Sequence, residues 1–450
     1  MSIIESYNPA DGSLIGTVNV TEDFEIGEIV KKAAKAQEKW AALDIDDRIR
    51  ILVDAGASLL DRAQEIGTLL SMEMGKSLRR GIGEVKGSAR SVEYVAECVK
   101  NALQPVTLQG GRGKTVIKYE PLGVCGIISP WNYPVSMAHW MTIPALAAGN
   151  AVVLKPSEET PLVAKAYVDA LNEALPENLL QIVFGDERQG KELIDAATDF
   201  IGFTGSLAAG RDIMKRAANT LKPIIMELGG KDPLIVLDDA DIDAAAGFAV
   251  ANSMENAGQM CISTERVFVD KSIAEEFNRK VAEIISYYKI GPYTDPDAEV
   301  GPIINERQRR RILEHIDDAV SKGAKVLAGG GDHPPRYVIP TVLSGIDDSM
   351  LIAREETFGP VVCITEFTDL EEAIAAANGT EFGLGAVVFG SREAEKTADR
   401  LKAGMVGINT SAGGGGDTPW VGAKQSGFGY HGSPDGHRQF TQPKVINEIL

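Results

Sequence analysis

The sequence predicts an α/β fold: two doubly wound parallel-sheet domains with a small separate β element. Three observations carry this reading. Short β-branched runs alternate with amphipathic helical stretches, the connections between them are short, and 450 residues exceed what one simple core organises.

Taken in order, residues 22–103 read as several helices with few strand signals. Residues 106–120 read as a hairpin, VTLQ then GGRG then KTVIKYE, closed by a glycine turn. Strand candidates follow at 123–128, 151–154, 180–183, 200–203, 224–228 and 233–237, with helices at 161–174, 190–196 and 208–218. Strand–helix–strand repetition implies a parallel sheet covered on both faces. A second series follows Cys261, with strands at 266–269, 325–328, 361–367, 386–389 and 406–409 and helices at 273–286 and 306–322. The junction falls near Gly229 and Gly230. Residues 440–450 read as an extended, alternately apolar tail. Strands that leave the main domains need a partner edge, so the hairpin and tail are expected at oligomer contacts. The glycines at 413–416 read as a mobile loop.

Composition excludes several classes. A net charge of −19 repels phosphate backbones and anionic membranes, so neither nucleic acid nor membrane is an expected partner. The basic run Arg307 to Arg311 reads as a solvated helix face. Residues 121–154 carry no charged side chain, yet Pro130, Pro134, Pro144, Asn132, His139 and Asn150 interrupt them. A membrane helix wants roughly 20 unbroken apolar residues, so buried strand, loop and helix are expected instead. The cysteines, Cys98, Cys125, Cys261 and Cys363, lie far apart. No metal cluster or disulfide framework is expected, and a reducing, cytoplasmic setting is. The opening residues show no secretory signal.

Four features carry chemistry. Cys261 ends Asn256-Ala257-Gly258-Gln259-Met260-Cys261, where nearby backbone N–H groups favour a thiolate and an oxyanion. Alone, a buried inert cysteine is the safer reading, and Cys98, Cys125 and Cys363 receive it. Glu227 ends an apolar strand before two glycines, as a base delivered by a rigid element or as a surface cap. In Pro130-Trp131-Asn132-Tyr133-Pro134, Asn132 either donates to a developing oxyanion or satisfies its own loop. The last feature is a set of nucleotide contacts. Ser206 opens a helix after the strand FTGS, Lys155 and Glu158 end another strand, and Glu356 stands two residues before Phe358.

Together PWNYP, KPSE, FTGS, MELGGKDP, NAGQMC and EETFGP, in this order along nearly the whole chain, resemble the aldehyde dehydrogenase superfamily. The resemblance implies that Cys261 attacks the aldehyde, that Asn132 and the Cys261 N–H hold the oxyanion, and that Glu227 activates the hydrolytic water. It implies Lys155 and Glu158 at the adenosine ribose, Ser206 at the pyrophosphate, Glu356 at the nicotinamide ribose, and Phe358 and Trp131 along the cofactor cleft. It assigns 1–105 and 121–229 to NAD(P) binding, 230–427 to catalysis, and 106–120 and 438–450 to oligomerisation. A small-molecule aldehyde substrate and a homodimer or homotetramer follow. Glu158 favours NAD, with NADP possible.

The chain also departs from the family pattern. Members that take succinate semialdehyde carry arginines where this chain has Glu255 and Trp140, which argues for a neutral, aromatic or amino-bearing aldehyde. A succinate-semialdehyde dehydrogenase stays as the alternative, and an inert binding protein on the same fold is the reading of another class. CoA-acylating relatives lack the glutamate that Glu227 matches. His431 stands where many members have glutamate, and reads either as a proton relay or as a solvent-facing residue.

Overall fold

The computed structural model describes residues 2–110 and 113–449. The chain opens with an unforeseen antiparallel pair, β1 (Ile3–Tyr7) and β2 (Leu14–Asn19). Four helices follow: α1 (Asp23–Ala41), α2 (Ile45–Asp61), α3 (Ala63–Met74) and α4 (Leu78–Ala102). Their buried residues recur at three- and four-residue spacing, as in Val85, Val92, Ala96 and Val99 of α4, so each helix turns one apolar stripe inward. Next, β3 (Val106–Gly110) and β4 (Gly113–Pro121) pair antiparallel. The centre of the expected glycine turn, Gly111 and Arg112, lies outside the described residues.

The first large sheet is built from β5 (Val124–Ile128), β6 (Ala151–Lys155), β7 (Leu180–Ile182), β8 (Phe200–Thr204) and β9 (Ile224–Glu227). Between them run α5 (Ser136–Ala147), α6 (Pro161–Asn172), α7 (Glu187–Asp195) and α8 (Leu207–Ala218). These strands are parallel in the order β9-β8-β5-β6-β7. The chain therefore reverses its direction of travel between β5 and β8. Sheets of this kind hold ligands in the crevice beyond the strand ends at such a reversal. The uncharged stretch supplies β5, α5 and β6, most of it buried.

The second sheet contains β10 (Asp232–Val236), β11 (Thr264–Asp270), β12 (Lys325–Ala328), β13 (Thr341–Ser344), β14 (Val361–Phe367), β15 (Gly385–Phe389) and β16 (Met405–Ile408). Its order is β12-β13-β14-β11-β10-β15-β16. The longer helices packed with it are α9 (Ile242–Met254), α10 (Ala274–Ile285) and α11 (Glu306–Ser321). Strand β10, which the sequence places with the series before Cys261, lies inside this second sheet. Strand β13 escaped the sequence reading: it is four buried residues long. Strand β12 runs antiparallel to β13, because no crossover helix intervenes between them.

The end of the chain returns to the first sheet. It forms β17 (Trp420–Val421), β18 (Gly427–Phe428), β19 (Tyr430–His431), the short helix Ser433–Arg438, and β20 (Thr441–Ile449). Strand β18 adds antiparallel to β9, so one edge of each large sheet departs from the parallel expectation. Strand β20 pairs along β4, so the tail finds its partner edge within the same chain. Among the described residues no helix is long and apolar enough to cross a membrane.

Candidate active site

Cys261 sits in the loop between α9 and β11. Before it, Asn256, Ala257 and Gly258 are left-handed, with φ of 53°, 58° and 71°. A non-glycine residue held this way costs roughly 1–3 kcal/mol, so the surroundings must hold the turn. At 258 only glycine fits, because a Cβ would collide with the Gly359 carbonyl. Cys261 is partly exposed as a residue, but its thiol end is withdrawn from water. That desolvation, then the Glu227, Asp232 and Glu356 carboxylates, push its pKa well above the usual thiol value.

The PWNYP loop is tied to this turn. Buried Asn132 donates from Nδ2 to the Gln259 carbonyl at 3.1 Å. Asn256 Nδ2 donates back to the Asn132 carbonyl at 3.0 Å, and Gln259 Oε1 accepts from the Ile304 N–H at 3.0 Å. An amide carries two N–H donors, so this contact occupies one Asn132 hydrogen and leaves the other free of it.

Glu227 approaches from the first sheet. Its backbone is held by pairing to Thr204 and Gly427 and by the Gly205 N–H, which donates to its carbonyl at 3.0 Å. Beyond it, Ser426 Oγ donates to the Gly229 carbonyl at 2.7 Å and clamps the glycine pair. Both Glu227 carboxylate oxygens are buried without a hydrogen-bond partner among the described residues. His431 Nε2 stands 3.9 Å from Oε2. His431 is buried, so the solvent-facing alternative is overturned: pairing of β19 with β17 turns it inward.

The EETFGP loop is held by residues that the sequence reading did not single out. Fully buried Lys231 pairs with Glu265 and donates to Thr357 Oγ1 at 3.2 Å. Glu265 accepts from the Thr357 and Phe358 N–H groups. Gln308 Nε2 donates to the Thr357 and Phe358 carbonyls, and Arg311 Nε to the Glu356 carbonyl. The basic run is thus helical as expected, but it grips this loop as well as facing solvent. Glu356 accepts from the Gly230 N–H at 3.1 Å, and burial, then Glu265, raise its pKa to about 7. Phe358 meets Trp131 edge-on, with ring centroids 5.6 Å apart.

Lys155, Glu158 and Ser206 line one cavity of about 400 Å³ at the sheet's reversal point, together with Ile128 and Phe203. Lys155 is buried, its ammonium 3.7 Å from the exposed Glu158 carboxylate, and burial lowers its pKa. Ser206 caps α8, accepting from the Ala209 N–H at 3.3 Å. A helix N-terminus, a cation and a carboxylate around a cavity of this size fit a dinucleotide's phosphate and ribose.

Past Glu227, Trp140 packs against Trp420 at 5.2 Å and against His431 at 5.5 Å. Glu255, expected to face substrate as a bare carboxylate, is instead paired with Arg80 and accepts from Tyr133 Oη at 3.2 Å. Helix α4 supplies that arginine from far away in sequence, which is why spacing near Cys261 did not reveal it.

Two parallel-sheet α/β units, a nucleotide-sized cavity at the first sheet's reversal point and a loop cysteine fit the class of pyridine-nucleotide oxidoreductases. The aldehyde dehydrogenase family model matches residues 1–446, and the chain belongs to that family. It is an NAD(P)-dependent oxidoreductase of class EC 1.2.1.-, acting on small aldehydes with NAD or NADP. It is 38% identical to betaine aldehyde dehydrogenase 1 of Rhizobium meliloti (strain 1021), over 99% of this chain and 93% of that protein. It is 37% identical to a probable succinate-semialdehyde dehydrogenase [NADP(+)] of Sinorhizobium fredii (strain NBRC 101917 / NGR234), over 98% and 91%. The NADP-dependent glyceraldehyde-3-phosphate dehydrogenase of Bacillus halodurans C-125, solved with NADP, superposes with a TM-score of 0.96. That structure is 33% identical, over 100% of this chain and 96% of its own.

Proposed function

We propose that the protein oxidises an aldehyde to its carboxylic acid through a thioester on Cys261. The observation that carries this is the buried, unpartnered Glu227 carboxylate beside the Cys261 thiol. Cys261, as thiolate, adds to the aldehyde carbon, and the thiohemiacetal oxyanion takes hydrogen bonds from the free Asn132 N–H and the Cys261 N–H. Bound NAD(P)+ supplies the hydride acceptor. Loss of hydride leaves the thioester, and Glu227 takes a proton from the water that hydrolyses it, with His431 beside it to pass that proton on. Lys155 and Glu158 hold the adenosine ribose, Ser206 the pyrophosphate and Glu356 the nicotinamide ribose, while Trp131 and Phe358 wall the cleft. A carboxylate at the ribose accepts from a free 2′-hydroxyl and repels a 2′-phosphate, so NAD is preferred.

The substrate we favour is an aldehyde bearing an ammonium group. Trp140, Trp420 and His431 form an aromatic wall beside the Glu227 carboxylate, a setting that attracts cations. The betaine aldehyde dehydrogenase relatives support this reading. A carboxylate-bearing aldehyde is the second reading, favoured by Arg80, which offsets the Glu255 charge. Residues 1–105 and 121–229 serve NAD(P) binding and 230–427 catalysis. We assign 106–120 and 438–450 to contacts in a homodimer or homotetramer, since Leu108, Val445 and Ile446 are exposed on that sheet. Four free cysteines support a cytoplasmic setting.

The test is NADH formation over a panel of trimethylammonium, carboxylate and neutral aldehydes, for wild type and Cys261→Ala. Turnover highest with the trimethylammonium aldehyde and lost in the variant is expected. NAD binding without turnover on any aldehyde would refute the reading.

A further inference from the structure

A cluster of metal-ligating side chains includes none of the residues assigned to the reaction at Cys261. Helix α4 contributes Cys98, the loop after Gly413–Gly416 contributes Asp417, and the short helix Ser433–Arg438 contributes His437. One donor atom from each lies within 4.8 Å of the others. His437 Nε2 is 2.8 Å from Asp417 Oδ1, which also accepts from the Ser433 N–H at 2.8 Å. His437 is 3% exposed, and its Nδ1 is buried with no hydrogen-bond partner among the described residues. The three donors come from segments 98, 417 and 437, so no spacing motif announces them, and the inert reading of Cys98 overlooks these polar neighbours.

We propose that Cys98, Asp417 and His437 form a site for a divalent transition metal of the zinc type. Thiolate, carboxylate and imidazole together are a borderline-soft donor set, which suits Zn²⁺ or Co²⁺ in tetrahedral geometry with water as the fourth ligand. Zinc–ligand bonds of about 2.0–2.3 Å at tetrahedral angles place the donors roughly 3.3–3.6 Å apart, so the 2.8 Å His437–Asp417 contact opens slightly while the wider separations, all within 4.8 Å, shorten. The Cys98 thiol proton is released to solvent as the metal–sulfur bond forms. The site joins three segments otherwise linked by hydrogen bonds. One of them, Asp417, stands three residues before Trp420, so a bound ion fixes the loop that carries this aromatic residue. The metal site itself does not depend on the proposed chemistry of Cys261.

The test is titration of chelator-treated protein with Co²⁺ alone, following thiolate-to-cobalt charge transfer and the visible bands of tetrahedral cobalt. Because Cys261 is also a thiol, wild type, Cys261→Ser, Cys98→Ser and His437→Gln are compared. One Co²⁺ per chain is expected, with both signatures kept in Cys261→Ser and the charge-transfer band lost in Cys98→Ser. His437→Gln is expected to bind at least about tenfold more weakly. It provides the same test if Cys98→Ser does not fold, which its metal-free NAD-dependent turnover reports. Charge transfer that disappears in Cys261→Ser and survives in Cys98→Ser would overturn the proposal, placing the ion on the other thiol. No tetrahedral signature in wild type would overturn it as well, leaving a hydrogen-bonded cluster only.

Discussion

His431 Nε2 lies 3.9 Å from Glu227 Oε2, and both side chains are buried. The carboxylate is at the end of β9 in one sheet, the imidazole on the returning C-terminal strand β19, and the Cys261 thiol belongs to a loop of the other sheet. Three distant parts of the chain therefore meet at one site, where burial first and then the neighbouring carboxylates raise the pKa of the thiol.

The first prediction concerns that thiol. Its pKa lies above the ordinary 9.0 because of burial and the neighbouring carboxylates, Glu227 foremost. The reactive thiolate therefore accumulates only as pH rises. Alkylation of the NAD-free protein by iodoacetamide should climb with pH without a plateau near neutrality. Glu227→Gln removes one raising charge, so its alkylation at mildly alkaline pH should be faster than wild type. A wild-type plateau at acidic pH would contradict this.

Nucleotide binding should carry its own pH dependence. The Glu356 carboxyl titrates near 7, raised by burial, and only its ionised form is a full acceptor for ribose hydroxyls. The KM for NAD should fall as pH rises through about 7, and Glu356→Gln should flatten that profile. Initial-rate measurements at saturating aldehyde check this.

Trp140 should matter by substrate charge. A cation–π contact contributes about 0.5–2 kcal/mol, so Trp140→Ala should raise KM for a trimethylammonium aldehyde by roughly 2- to 30-fold. It should leave a neutral aldehyde of similar size little changed. Equal losses on both substrates would assign the ring to packing alone.

The Lys231–Glu265 pair sets the position of the loop carrying Glu356 and Phe358. Breaking a buried pair on one side leaves an uncompensated charge and costs about 3–5 kcal/mol. Lys231→Met should lower Tm and raise KM for NAD, while adding Glu265→Gln should restore part of the stability. Thermal unfolding with and without NAD separates the two effects.

Much of this was legible in the sequence, for physical reasons. Buried parallel strands such as β6 are unbroken apolar runs, and motif residues such as Glu227 and Asn132 sit at strand ends and proline-fixed loops, where local chemistry shows. Trp131 with Phe358, and Asn132 with the Cys261 turn, come together in space as well as in motif. What was hidden depends on long-range contact. Arg80 reaches Glu255 across 175 residues, Lys231 reaches Glu265 across 34, and His431 turns inward only because β19 pairs with β17. Strands β13 and β18 were too short for periodicity to show; β12 is antiparallel to β13 because no helix joins them, and β18 reaches β9 only after the chain has built the second sheet.

The most direct measurement is intact-protein mass spectrometry of Glu227→Gln mixed with NAD and an aldehyde it accepts. The predicted result is a mass increase equal to the acyl group, mapped to Cys261, with one NADH released per chain and little further turnover. Sustained turnover with no adduct on Cys261 would contradict a thioester that Glu227 resolves.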